Sequence, residues 1–86
     1  MTAEQKEFYR ENILRQLQVG IPVHDKTILV GLQCGGFSGT DAAEMERELE
    51  YLIEKGFVRR ERAFLSSGKK HYKLTAAGVE YLEANC

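Results

Sequence analysis

The chemistry most visible in this chain is charge held in a pattern. Arg59, Arg60, Arg62, Lys69, Lys70 and Lys73 crowd into residues 59–73, opposed there only by Glu61. Cations spaced along an extended arm can neutralise phosphates of a nucleic acid. The same residues also suit a solvated hairpin whose charges prevent edge-to-edge aggregation. Just upstream, residues 41–55 hold six carboxylates against Arg47 and Lys55, a net charge of −4. Arg47 is the one residue there that can bond a guanine edge in bidentate fashion. Its spacing from Glu44, Glu50 and Glu54 favours ion pairs along the helix instead. Glu44, Glu50, Tyr51 and Glu54 together offer an acidic surface with one aromatic, which fits a protein partner. His24, His71, Cys34 and Cys86 fall into no recognised metal-ligand spacing, so no metal is expected. Cys34-Gly35-Gly36 lacks the full pattern of a phosphate-cradling loop. No nucleophile stands beside a base, so neither an enzyme nor a cofactor is expected.

Composition narrows the setting. A chain of 86 residues, 43% hydrophobic and 29% charged, reads as one globular domain over residues 1–86 with one modest core. A net charge of −1 argues against a histone-like polycation but permits a local basic stripe. The N-terminus is polar, and no apolar run is long enough to span a bilayer, so no membrane is expected and the cytoplasm is the default compartment. Two widely spaced cysteines make no disulfide framework; Cys34 is expected to pack as a small hydrophobe.

These charges need elements to position them. Residues 2–19 read as a helix with Phe8, Ile13, Leu14 and Leu17 inward and Tyr9 or Asn12 at the edge; Gly20 ends it. Ile21-Pro22-Val23 is a short edge strand or connector. Asp25 caps a second helix over 26–33 with Ile28, Leu29 and Leu32 inward, weakened locally by Gly31. Residues 34–39 form a glycine-rich turn plugged by Phe37. A third helix spans 40–55, capped by Ser38 or Thr40, with Ala42, Met45, Leu49, Leu52 and Ile53 as its buried stripe. Lys55-Gly56 stops it. A strand over 57–64, a turn at Ser66-Ser67-Gly68 and a strand over 70–74 make a hairpin. Alternation places Arg60 and Arg62 on one face and Arg59 and Glu61 on the other, with Tyr72 and Leu74 sharing a face. Thr75 caps a closing helix through Ala76, Ala77, Val79, Tyr81 and Leu82. The class is α+β.

Leu52, Lys55-Gly56-Phe57-Val58, Gly68-Lys69-Lys70-His71-Tyr72-Lys73-Leu74-Thr75 and Ala77-Gly78 closely resemble the second half of a winged helix-turn-helix domain of the MarR-like and PadR-like transcriptional regulators. The resemblance implies a three-helix core, a two- or three-stranded wing over 58–74 and a short C-terminal helix. It implies double-stranded DNA as partner, with the third helix in the major groove, and a homodimer. Ser38, Thr40 and Arg47 would then touch the groove, and Arg59, Arg60, Arg62, Lys69, Lys70 and Lys73 the backbone. The closing helix is short beside the dimerisation helices of those regulators, so their ligand sensing is not implied. An acidic helix beside a basic wing also suits self-association, one copy's wing meeting another's helix. The alternative is a winged helix that binds a protein through Glu44, Glu50, Tyr51 and Glu54.

Overall fold

The computed structural model describes residues 2–62 and 70–84, with the Arg62 side chain left out. The expected turn at Ser66-Ser67-Gly68, the apolar Phe64 and Leu65, Lys69 and Cys86 lie outside the described residues.

Helix α1 runs Ala3–Gln16 and begins with a reciprocal cap. The Thr2 hydroxyl accepts from the Gln5 amide at 3.1 Å, and the Gln5 side chain accepts from the Thr2 amide at 2.9 Å. The expected helix to residue 19 ends instead in a 3-10 turn, Leu17–Val19, closed by Gly20 at φ 79°. Tyr9, Ile13, Leu14 and Leu17 are completely buried, whereas Phe8 is 56% exposed. The assignment of Phe8 inward and Tyr9 to the edge is therefore reversed. The stripe starts at Tyr9, four residues before Ile13, and the Tyr9 hydroxyl has a buried partner that makes its burial tolerable.

Strand β1, Val23–His24, leads into helix α2, Asp25–Cys34. Here His24 rather than Asp25 is the capping residue: its Nδ1 accepts from the Lys26 amide at 3.0 Å, and Asp25 is already helical. Ile28 and Leu32 are buried. Gly31 admits the Gln16 side chain where a Cβ would otherwise lie. Gln16 uses that space to donate to the Ile28 carbonyl at 3.1 Å and to Asn12 at 2.9 Å, tying α1 to α2. Cys34 ends α2 on the solvent side as a free, exposed thiol, not the small core residue expected. In the following turn Gly36 takes φ 106°, and Phe37 packs its ring edge-on to Tyr9, centroids 5.0 Å apart.

Helix α3 spans Ala42–Glu54. Its cap is Asp41, which accepts from the Glu44 amide at 2.8 Å, so neither Ser38 nor Thr40 serves. Met45, Leu49 and Leu52 are buried and Ile53 packs beside them, while Ala42 is exposed and Glu48 buried in its place. Gly56 at φ 82° ends α3; the Phe57 amide reaches the Leu52 carbonyl and the Gly56 amide the Ile53 carbonyl, both at 3.0 Å.

Strands β2, Val58–Arg62, and β3, Lys70–Leu74, pair antiparallel with Arg60 opposite Tyr72 and Arg62 opposite Lys70. Strand β1 adds to the other edge of β3, giving the order β1-β3-β2. Val58, Tyr72 and Leu74 face the core. Thr75 turns the chain into helix α4, Ala76–Ala84: its hydroxyl donates to the Gly56 carbonyl at 2.5 Å and accepts from the Gly78 amide at 3.1 Å. Gly78 lies against the Phe57 carbonyl and Leu74, where any side chain would collide. Leu82 completes a core to which every helix and the sheet contribute.

Candidate nucleic-acid interface

Helices α2 and α3 with their glycine-rich turn, and the hairpin β2–β3 beside them, make this chain a winged helix-turn-helix. The exposed side of α3 is where such a fold presents side chains, and its charges are arranged differently from the sequence expectation. Glu44 accepts from the Thr40 hydroxyl at 2.8 Å. Glu46 pairs with Lys70 at 3.0 Å, Glu48 with Arg10 at 2.7 Å, and Glu50 with Arg60. Four glutamates of the helix thus have partners in other segments of the same chain. Arg47, expected to pair with Glu44, Glu50 or Glu54, is exposed, and its side chain makes no ion pair or hydrogen bond with a described residue. The reason is competition: Thr40 holds Glu44, Arg60 of the wing holds Glu50, and Glu54 lies two turns away.

The N-terminal approach to α3 also departs from expectation. Ser38 is exposed in the turn. Thr40 is only 7% exposed. Its hydroxyl proton goes to Glu44, so the Tyr9 hydroxyl, 2.6 Å away, must be the donor to Thr40. Thr40 therefore has no hydroxyl to offer a groove; it joins α1 to the start of α3. Burial pushes the Tyr9 phenol above its ordinary value of 10.0, and the carboxylates of Glu44, Glu48 and Asp41 add to the rise.

On the wing, the strand alternation is as expected. Arg60 and Lys70 lie on the face turned to α3 and reach its carboxylates. The Glu46 bond raises the Lys70 ammonium above its usual range. On the other face Arg59 pairs with Glu61 at 2.6 Å, and Lys73, opposite Arg59, has no ion pair with a described residue. The Arg62 side chain and Lys69 lie outside what is described. An acidic helix and a basic wing that satisfy each other within one chain are not two separated poles. The motive for joining one copy's wing to another's helix is correspondingly reduced.

Two residues that the sequence separates are brought together on the sheet. His24 and His71 are cross-strand partners whose rings meet edge to face, centroids 5.1 Å apart. His24 Nε2 and His71 Nδ1 are buried without a hydrogen-bond partner among the described residues. Among those residues no three His, Cys, Asp or Glu side chains are placed to hold a metal ion.

The opposite flank of α3 holds what sequence reasoning missed. The Arg10 guanidinium bonds Glu48 and lies 3.7 Å from the centroid of the Tyr51 ring, with the Lys55 ammonium 5.6 Å from it. Arg10 directly follows the stripe residue Tyr9, and a lone cation there reads as solvated until α3 is seen to bring Glu48 beside it. Glu44, Glu50 and Tyr51 of the candidate partner surface are thus all engaged in the chain; Glu54 is exposed. Among the described residues no helix is long and apolar enough to cross a membrane.

No protein-family profile and no curated protein sequence matches the chain. Solved structures do. A PadR-like transcriptional regulator of Bacillus cereus superposes with a TM-score of 0.79 at 19% identity, over 96% of this chain and 82% of that one. MepR of Staphylococcus aureus, in complex with DNA, gives 0.77 at 21% identity, over 96% of this chain and 68% of that one. A mutant MarR of Escherichia coli, in complex with operator DNA, gives 0.67 at 23% identity, over 98% of this chain and 52% of that one. At these identities the likeness is one of fold.

Proposed function

We propose that residues 1–86 act as one unit that binds double-stranded DNA as a transcriptional regulator, with the cytoplasm as its compartment. One observation carries this reading. Four of the carboxylates that would repel DNA along α3 are held by Thr40, Arg10, Lys70 and Arg60, while Arg47 stays exposed and without an ion pair among the described residues. The first turns of α3 enter the major groove, Arg47 meets a guanine edge, and Ser38 approaches from the turn. Arg59, Arg60, Arg62, Lys69, Lys70 and Lys73 serve as the phosphate contacts of the wing. The Arg60 and Lys70 pairs are about half exposed, so exchanging a carboxylate for a phosphate costs little. A homodimer supplies two half-sites and the affinity that one small domain lacks. The neighbours solved with DNA support the reading. The engagement of Glu44, Glu50 and Tyr51 within the chain weakens the alternative of a protein partner on that surface.

The test is binding to a random-sequence duplex pool at two salt concentrations, followed by selection of preferred sites. Wild type should bind in a salt-sensitive manner. Arg47→Ala should lose roughly 1–3 kcal/mol on preferred sites and flatten the preference at one base pair. Absence of wild-type binding even at low salt sinks the proposal.

A further inference from the structure

Lys6 is inconspicuous in the sequence, a polar residue between Glu4 and Glu7 in the first turns of α1. The fold gives it a particular place. Lys6 of α1 and Glu44, Arg47 and Glu48 of α3 line one groove of about 340 Å³. Each carboxylate there already has a partner: Glu44 the Thr40 hydroxyl, Glu48 the Arg10 guanidinium. Each cationic side chain has none among the described residues; Lys6, like Arg47, is exposed, and its side chain makes no ion pair or hydrogen bond with them. Two helices therefore present two unengaged cations to one concavity whose acids are already engaged. Arg10, bonded to Glu48 from outside the groove, offsets one of the groove's two carboxylates. That arrangement suits an anion.

We propose that Lys6 is a DNA-backbone contact, donating to a phosphate oxygen on the α1 side of α3 while Arg47 reads the adjacent base edge. The proposal rests on the DNA-binding reading above and adds a second flank to it. Phosphates border the major groove on both sides of an inserted helix. The wing serves one border. Lys6 shares its groove with Arg47 on the α1 side, and its side chain gives up no ion pair with a described residue on binding, unlike Arg60 and Lys70. A lysine acting as a point charge on phosphate carries no base information, so its effect is uniform across sequences.

The experiment measures the affinity of the full chain for duplex DNA against salt concentration, for wild type, Lys6→Gln, Lys6→Arg and Lys70→Gln. Lys6→Gln should weaken binding several-fold on every sequence, preserve sequence preference, and lower the slope of log K against log salt by about 0.9. Lys6→Arg should keep the wild-type slope. Because Lys6 is exposed and glutamine is a good helix former, the fold should survive, which an unchanged unfolding midpoint verifies. An unaltered slope and affinity in Lys6→Gln, with wild type binding, overturns this inference and leaves the DNA-binding reading standing. Failure of wild type to bind overturns both.

Discussion

Helix α3 has two flanks, and the same residue type does different work on each. Toward α1, Glu48 and Arg10 have side chains only 12% and 24% exposed, and the Tyr9–Thr40 hydroxyl pair is buried. Toward the wing, Glu46 and Lys70 are 45% and 49% exposed, and Glu50 and Arg60 52% and 51%. Four glutamates spaced two residues apart thus divide by solvation. A desolvated pair must stay paired, because a lone charge left there is costly. A solvated pair is worth little and can be exchanged for another partner. The α1 flank is therefore read as fixing the angle of α3, and the wing flank as charge held in readiness.

The harshest way to break that comparison is Glu48→Ala. It strands the Arg10 guanidinium in a site only partly open to water. Loss of a partner in a buried pair costs about 3–5 kcal/mol. Partial access of Arg10 to solvent reduces this to about 2–3 kcal/mol here. Urea unfolding should show it as a lower midpoint with an unchanged slope. A cost below about 0.5 kcal/mol would place this flank in the same class as the wing.

Next in size is Tyr9→Phe, expected to cost about 1–2 kcal/mol, because the buried Thr40 oxygen loses its donor. The same residue predicts a pH dependence. Its phenol is raised in the folded state, so the fold favours the neutral form. That contribution is complete below the unfolded value near 10 and is lost as pH climbs through the folded value. Wild-type stability should decline above about pH 10, and more steeply than that of Tyr9→Phe.

The contrast also explains what could be read from the chain. Lys55-Gly56 closes α3 through backbone bonds to Tyr51 and Ile53, and Thr75 caps α4 by accepting from the Gly78 amide. The third helix and the described parts of the two strands lie close to where the pattern puts them. Local chemistry of this kind is written in adjacent residues. Tyr9 is not at the edge and Thr40 does not face a groove, because each is the other's partner across 31 residues, and the partner of Arg10 lies 38 residues away. No spacing along one helix announces such a partner. Arg47 lacks the helix partners its spacing suggests because Thr40 and Arg60 of the wing hold Glu44 and Glu50. The candidate cations of the wing could be named from sequence, but not which of them the helix holds.

The smallest effect on stability should come from Glu46→Gln with Glu50→Gln, and it sharpens the comparison most for function. Both pairs are about half exposed, and each should contribute little to folding after screening. Removing the two carboxylates frees Lys70 and Arg60 on the face of the wing turned to α3. If those cations exchange their glutamates for phosphates, the double variant should bind duplex DNA more tightly than wild type, since no ion pair has to be broken first. The repulsion between α3 and the backbone also falls, so the gain should be largest at low salt and shrink as salt rises. Fluorescence anisotropy on one duplex across a salt series separates these effects. Unchanged affinity at every salt concentration would mean that Arg60 and Lys70 brace the wing against α3 and never meet the backbone, leaving phosphate contact to Lys6, Arg59, Arg62, Lys69 and Lys73.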